Sequence, residues 1–291
     1  MLNFPIALRT RNRPVFLDAT LKSITQTTLP ENYNLVVIDD CSDDPLAKQY
    51  LLTDGTIMLP KLHEWRIDGK FVNASGKFRN LKGLKGIKSR FEIIQPESKK
   101  GVRGGIFWCI DAMMKRFTDS PAVIIIEADS VFHKDWYIAT ELAYGKCKKA
   151  HGPNGESLGL LSCYDRKGKG QPGIDWGWRS VKKLHSGHWG CANGIGGVMY
   201  LVTRNFYQAA ITEMQKKQNP GLRSGDTMLQ ACCGTHEFTI AVTKPSFCQH
   251  IGYMSEAWPE KGYRYARNFR KPFVFEKFDK EGRAYSEDWI V

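Results

Sequence analysis

The sequence lacks any long apolar run. A bilayer span needs roughly 18 consecutive apolar residues, and the longest stretches here, residues 123–126 and 198–202, fall far short. The opening segment, residues 1–8, is too short for a signal-peptide core, and Arg9, Arg11 and Arg13 follow at once. The expectation is a cytoplasmic protein with no membrane segment. The eight cysteines include no C-x-x-C pair and are spread along the whole chain. That excludes a disulfide framework and fits no zinc-site spacing, which leaves buried reduced thiols as the expected state. The P-loop pattern G-x-x-x-x-G-K-[ST] is missing, and the glycine-bearing segment Lys99–Gly105 does not follow the dinucleotide pattern G-x-G-x-x-G. No internal repeat is visible.

What is present is an ordinary globular composition with an unusual charge. Of 291 residues, 42% are hydrophobic and 25% charged, which rules out wholesale disorder. A chain this long buries about three quarters of its unfolded surface and needs no staple to fold. The net charge is +12. Residues 61–103 carry twelve Lys or Arg against four acids, and residues 261–283 carry eight against three. The remainder is close to neutral. Two local basic patches suit a polyanionic partner, nucleic acid or an anionic membrane surface, or else form a solvated face.

Strand-like apolar runs alternate with helix-like periodicity. Residues 4–8, 35–38, 91–94, 122–126, 158–162 and 239–242 read as strands, and the glycine-rich 194–203 ends as one. Pro14 and Pro45 sit where helices begin. Further helices are expected from Gly101 to near Phe117 and over 136–151, 206–217 and 226–233. Continuous apolar strands argue for a parallel sheet, so the expected fold class is α/β. Residues 53–90 break the rhythm and read as an inserted basic loop or hairpin. Residues 166–177 read as a mobile loop. In such sheets ligands bind at the carboxyl ends of strands, where the strand order reverses. Residues 9–13, 39–40, 99–105 and 127–129 all fall at such ends.

Four groups there carry chemistry. Glu127 and Asp129, at i and i+2 of an extended segment, would face one cleft, and their repulsion is relieved by a hard cation such as Mg²⁺ or Mn²⁺. They could equally cap the next helix. His250 could complete a mixed shell for Mn²⁺ or be structural. Asp226 opens a helix, as an N-cap or as a general base beside a substrate hydroxyl. The Lys99-Lys100-Gly101-Val102-Arg103-Gly104-Gly105 segment joins cations and glycines to a helix start, which suits phosphate groups.

Taken in order, these positions resemble the family 2-type glycosyltransferases of the GT-A fold. The likeness runs over residues 3–255. It rests on Leu8-Arg9-Thr10-Arg11-Asn12-Arg13-Pro14, on Val36-Val37-Ile38-Asp39-Asp40-Cys41-Ser42-Asp43-Asp44, and on Lys99-Lys100-Gly101. It continues through Glu127-Ala128-Asp129, Gly196-Gly197, Gly225-Asp226 with Leu229, and Gln249-His250-Ile251-Gly252. The resemblance implies a GT-A (Rossmann-like), mostly parallel sheet flanked by helices. It implies one domain over 1–255, with donor-binding half 1–130 and acceptor half 131–255, and an extension over 256–291. It implies a nucleotide-sugar donor, usually a UDP-sugar, and Mn²⁺ or Mg²⁺ as cofactor. Thr10 and Asp39 would contact the base. Arg13, Lys100 and Arg103 would lie near ribose or phosphate, and Arg9 and Glu127 would join the donor-binding set. Asp129 and His250 would hold the metal, and Asp226 would be the catalytic base of a single inverting displacement. Two departures stand out: Glu127 replaces the first D-x-D aspartate, and Gly225 replaces the acid that usually precedes the base.

A third departure is the lysine-rich insertion. Lys82, Lys85 and Lys88 recur every three residues, a spacing suited to a phosphate backbone. Trp176, Trp178 and Trp189 could stack on sugars or an unstacked base, or simply pack. With Gly196 and Gly197, the three lysines and Trp189 form the expected acceptor-binding set. The favoured acceptor is a hydroxymethylated base, hydroxymethylcytosine, in DNA, as in a bacteriophage DNA-modifying member working in host cytoplasm. The alternative is a lipopolysaccharide or capsule glycan at the inner membrane face. A third reading is a non-catalytic nucleic-acid or nucleotide-sugar binding protein.

Overall fold

The computed structural model describes residues 2–53, 56–60, 78–82, 91–150, 157–164, 177–180, 197–216, 225–244 and 246–250. The strands are β1 (Ile6–Thr10), β2 (Leu35–Asp39), β3 (Thr56–Pro60), β4 (Phe78–Lys82), β5 (Phe91–Ile94), β6 (Ala122–Glu127), β7 (Ser130–Phe132), β8 (Leu158–Ser162), β9 (Gly177–Ser180), β10 (Met199–Thr203), β11 (Thr239–Lys244) and β12 (Cys248–His250). The helices are α1 (Pro14–Thr25), α2 (Pro45–Leu52), α3 (Gly101–Arg116), α4 (Trp136–Ala150), α5 (Arg204–Lys216) and α6 (Gly225–Thr235).

Eight strands form one sheet in the order β5-β2-β1-β6-β10-β8-β11-β9. The pairings β5–β2, β2–β1, β1–β6 and β8–β11 are parallel, and the other three are antiparallel. The fold is α/β with a mostly parallel sheet, as the apolar runs lead one to expect. The chain leaves β1 toward β2 on one side and returns as β6 on the other. The strand order therefore reverses beside β1, which is where a ligand crevice forms in open sheets.

The sheet is covered on both faces. Leu17, Leu21 and Ile24 of α1, Tyr50 and Leu51 of α2, and Trp136, Tyr137 and Tyr144 of α4 pack on one side. Ile106, Ile110 and Met113 of α3, Phe206 and Met214 of α5, and Met228 and Leu229 of α6 pack on the other. This double covering is why the strands read as unbroken apolar runs. All five residues of β1 and of β2 are buried. The basic insertion contributes an antiparallel hairpin, β3 with β4, set beside α1 and α2. Seven cysteines, 41, 109, 147, 163, 232, 233 and 248, are free thiols, and all but Cys41 are buried. Burial pushes the Cys109 thiol up to about 12, which keeps it protonated and inert. No helix among the described residues is long and apolar enough to cross a membrane.

A small two-stranded sheet has no counterpart in the sequence reading. β7 pairs antiparallel with β12, placing His250 opposite Ser130. The hydroxyls of Thr20 and Ser23 on α1 accept hydrogen bonds from the backbone amides of Ser130 and Phe132, at 3.0 and 2.9 Å. The residue after Asp129 is thereby fixed from two sides.

Candidate active site

The carboxyl ends of β1, β2 and β6 meet along one edge, in register: Arg9 lies beside Glu127 and Thr10 beside Asp39. Thr10 and Asp39 are both buried, and Asp39 is wholly enclosed. The Ser42 amide (3.0 Å) and the Gln95 side chain (2.6 Å) donate to Asp39 Oδ2, and the Ser42 hydroxyl (2.5 Å) to Oδ1. Asp39 thus orders Ser42 and Gln95 at the crevice rim. Asn12, in the left-handed region at φ 52°, ties the β1 loop to the β2 loop. Its side-chain oxygen accepts from the amides of Asp43 and Asp44, both at 2.9 Å. Asn12 belongs to the opening motif noted in the sequence, whereas Gln95 is not recognisable there as part of a site, because it acts on a residue far away in the chain.

Asp40 has a role that sequence reasoning missed. Its two oxygens accept from the amides of Lys100 and Gly101, at 2.6 and 2.8 Å. The amides of Lys100 and Gly101 at the start of α3 are therefore capped by a carboxylate of the chain itself. Lys100 has no capping side chain of its own, and Gly101 takes a φ of +71°, which glycine adopts without strain. Losing two charge-assisted bonds should be costly. Asp40→Ala is expected to destabilise the protein by about 2–3 kcal/mol, read from urea unfolding. An unchanged midpoint would mean that water replaces the cap freely. The Lys100 side chain is exposed, and Arg103 lies in the first turn of α3.

The two carboxylates of the Glu-x-Asp segment do not project as an extended chain requires. The backbone bends at Ala128 and Asp129, between β6 and β7, so the period-2 rule ends at Glu127. Glu127 takes Arg9, with Arg9 Nη1 donating to Oε1 at 2.6 Å. Asp129 takes Arg13 and His250: both approach Oδ2, His250 Nε2 at 3.1 Å. The expected positive charge between the carboxylates is thus supplied in part by the protein. Burial raises the Glu127 pKa; Asp129 adds to this, against Arg9, Arg13 and His250. Burial alone would raise Asp129 too, but His250 and Arg13 outweigh it and hold the carboxyl at about 2. Burial disfavours the His250 imidazolium, yet Asp129 outweighs it and the pKa is raised. Burial likewise opposes the charge on Arg9, and Glu127 restores it.

Asp129 Oδ1 is buried and has no hydrogen-bond partner. A buried carboxylate oxygen without a donor calls for a missing ligand. The other oxygen of the same carboxylate, Oδ2, lies 3.1 Å from His250 Nε2, and a carboxylate with a nearby imidazole suits Mn²⁺ or Mg²⁺. Among the described residues no three His, Cys, Asp or Glu side chains gather to hold a metal. The donor set fits an ion that takes two ligands from the protein and the rest from diphosphate and water.

Across the crevice, Asp226 is the second residue of α6. A Cβ placed on Gly197 would lie 3.8 Å from its carboxyl carbon, so the glycine leaves that face of Asp226 open. Gly197 and Asp226, distant in sequence, are neighbours in the fold. Tyr200 on β10 is fully buried, and its hydroxyl has no hydrogen-bond partner. It lies within electrostatic reach of Arg9, Glu127 and Asp226. Only the fold makes it a neighbour of the site. Lys82 and Trp178 lie on β4 and β9 respectively. Lys85, Lys88, Trp176, Trp189 and Gly196, with the extension 256–291, lie outside the described residues.

No protein-family model matches the chain, and no curated protein matches it. Among solved structures it is similar to S. aureus TarS 1-349, at 12% identity and a TM-score of 0.46, over 84% of this chain and 59% of that one. The same protein in complex with UDP-GlcNAc aligns at 14% identity and a TM-score of 0.46, over 90% and 62%. The mannosyltransferase PcManGT from Pyrobaculum calidifontis, in complex with GDP-Man and Mn2+, aligns at 12% identity and a TM-score of 0.45, over 90% and 58%. The chain therefore spans between 58% and 62% of the length of these structures.

Proposed function

We propose that this chain transfers a sugar from a nucleoside-diphosphate sugar to a hydroxyl acceptor, with inversion. The observation that supports it most directly is Asp129. It presents a buried, unpartnered oxygen beside His250, at the edge where the strand order reverses. Ser42 and Gln95, held by Asp39, and Thr10 beside it would line the end of the crevice that takes the base. Arg13 and Lys100 would lie toward the diphosphate. A divalent cation held by Asp129 and His250 would offset charge developing on the departing diphosphate. Arg9 neutralises Glu127, which keeps a second bare carboxylate from opposing that diphosphate. Asp226, approachable over Gly197, takes the proton from the attacking hydroxyl as the anomeric carbon passes through an oxocarbenium-like state.

The acceptor we favour is hydroxymethylcytosine in DNA. What supports it is charge: most of the surplus within residues 61–103 lies in the chain between α2 and β5. The test is a titration of plain and hydroxymethylcytosine duplexes at two salt concentrations, with UDP and Mn²⁺ present. Binding should be micromolar or tighter and should weaken with salt, by a log–log slope of about −0.9 per neutralised phosphate. Replacing Lys82, Lys85 and Lys88 together by Gln should flatten that slope. No binding at low salt would redirect the search to a cell-surface glycan, and an unchanged slope would return the lysines to the solvated surface.

A further inference from the structure

The opening of α3 touches Asp40 and Arg9 on one side and α6 on the other. Lys100 and Gly101 cap onto Asp40. A Cβ on Gly105 would stand 3.1 Å from the Arg9 guanidinium and 3.4 Å from Asp40, so the bare helix backbone there makes room for the Arg9–Glu127 pair. The next residue, Ile106, reaches α6. A Cβ on Gly225 would fall 2.1 Å from Ile106 Cδ1, 2.9 Å from Cγ1 and 3.0 Å from Cβ. No side chain fits there while Ile106 stays in place. Both residues are buried, and the residue that follows Gly225 is Asp226.

We propose that Ile106 is a positioning residue for the catalytic base: it seats the Gly225 backbone, and that seat sets where the Asp226 carboxylate stands over Gly197. This rests on Asp226 being the base, as proposed above. It also explains the missing acid before the base. In this chain the position is filled by a hydrophobic contact from the donor-side helix, so helix-to-helix packing holds Asp226 in place of a polar side chain at its shoulder. The same helix is capped by Asp40 and shelters Arg9. Donor and acceptor sides of the crevice are thereby referred to one rigid element, and the attacking hydroxyl is aligned by packing.

The test is a graded series at this contact, read by UDP release with Mn²⁺, the hydroxymethylcytosine duplex and whichever UDP-sugar the parent turns over in a panel of UDP-hexoses. Gly225→Ala should lower kcat at least a hundredfold and leave KM for that donor within threefold. Adding Ile106→Ala removes Cγ1 and Cδ1 and should restore kcat at least tenfold. With Gly225 intact, Ile106→Ala should lower kcat about tenfold at unchanged KM, and Ile106→Val should fall between it and the parent. The single Ile106 variants add no clash, so they carry the test even if Gly225→Ala fails to fold. Crystals of the parent, Gly225→Ala and the double variant test the seat without turnover: Asp226 should move by more than 1 Å and return. Wild-type kcat in Gly225→Ala and in Ile106→Ala, or an unmoved Asp226, would overturn the proposal. Asp226→Asn run alongside separates the two ideas. If it abolishes turnover while the Ile106 series does nothing, only the seat is lost; if it leaves turnover intact, the role of base is lost and the seat with it.

Discussion

Asp226→Asn is expected to lower sugar transfer by roughly 10³-fold or more while nucleotide-sugar binding survives. General-base assistance supplies about 10² to 10⁴ of rate, and an amide in the same place accepts no proton. The substitution is nearly isosteric, and Asp226 lies in the first turn of α6, where Asn is also tolerated. The fold and the α3–α6 contact should therefore persist. Two measurements decide it: calorimetric titration of UDP with Mn²⁺, which should be unchanged, and single-turnover transfer, which should collapse. Loss of nucleotide binding instead would move Asp226 from the acceptor side to the donor side.

Asp129→Asn is expected to remove the dependence of donor binding on a divalent cation. The parent should bind UDP at least tenfold more tightly with Mn²⁺ than with excess chelator, and the variant should show one affinity in both. The reasoning is electrostatic. Asp129 is the carboxylate with an unpartnered oxygen, and removing its charge leaves the Arg13 guanidinium beside the site as a neighbour that repels a cation. Asn keeps the volume and one acceptor for Arg13, so the loss is separable from unfolding. Asp129→Ala would confound the two, since breaking a buried pair by removing one partner costs about 3–5 kcal/mol. A variant that retains full enhancement by Mn²⁺ would take the metal away from this edge.

Much of the scaffold is legible because it is written in local signals. Pro14 and Pro45 open α1 and α2, and buried runs such as residues 122–126 mark strands that helices cover on both faces. What was hidden depends on partners remote in the chain. β7 and β12 are three residues each and exist by pairing with one another, so no periodicity announces them. Arg9 and Arg13 look like a basic cluster in the sequence, yet folding assigns them to different carboxylates. Glu127 and Asp129 look parallel only if the strand continues, and the bend at Ala128 ends that geometry. Gly225 reads as a missing acid until the close approach of Ile106 is known.

The bonds from Asp40 to Lys100 and Gly101 have one more consequence. Together with the pairing of β2 to β5 they staple both ends of the intervening stretch to the sheet. The described parts of the stretch between Leu52 and Phe91, β3 and β4, pair with each other and not with the main sheet. Lengthening such a loop twofold costs only about 0.6 kcal/mol in closure entropy. The segment that would meet the acceptor can thus be rewritten in length and charge while the donor edge keeps its geometry, which is how one transfer chemistry could be re-addressed to new acceptors.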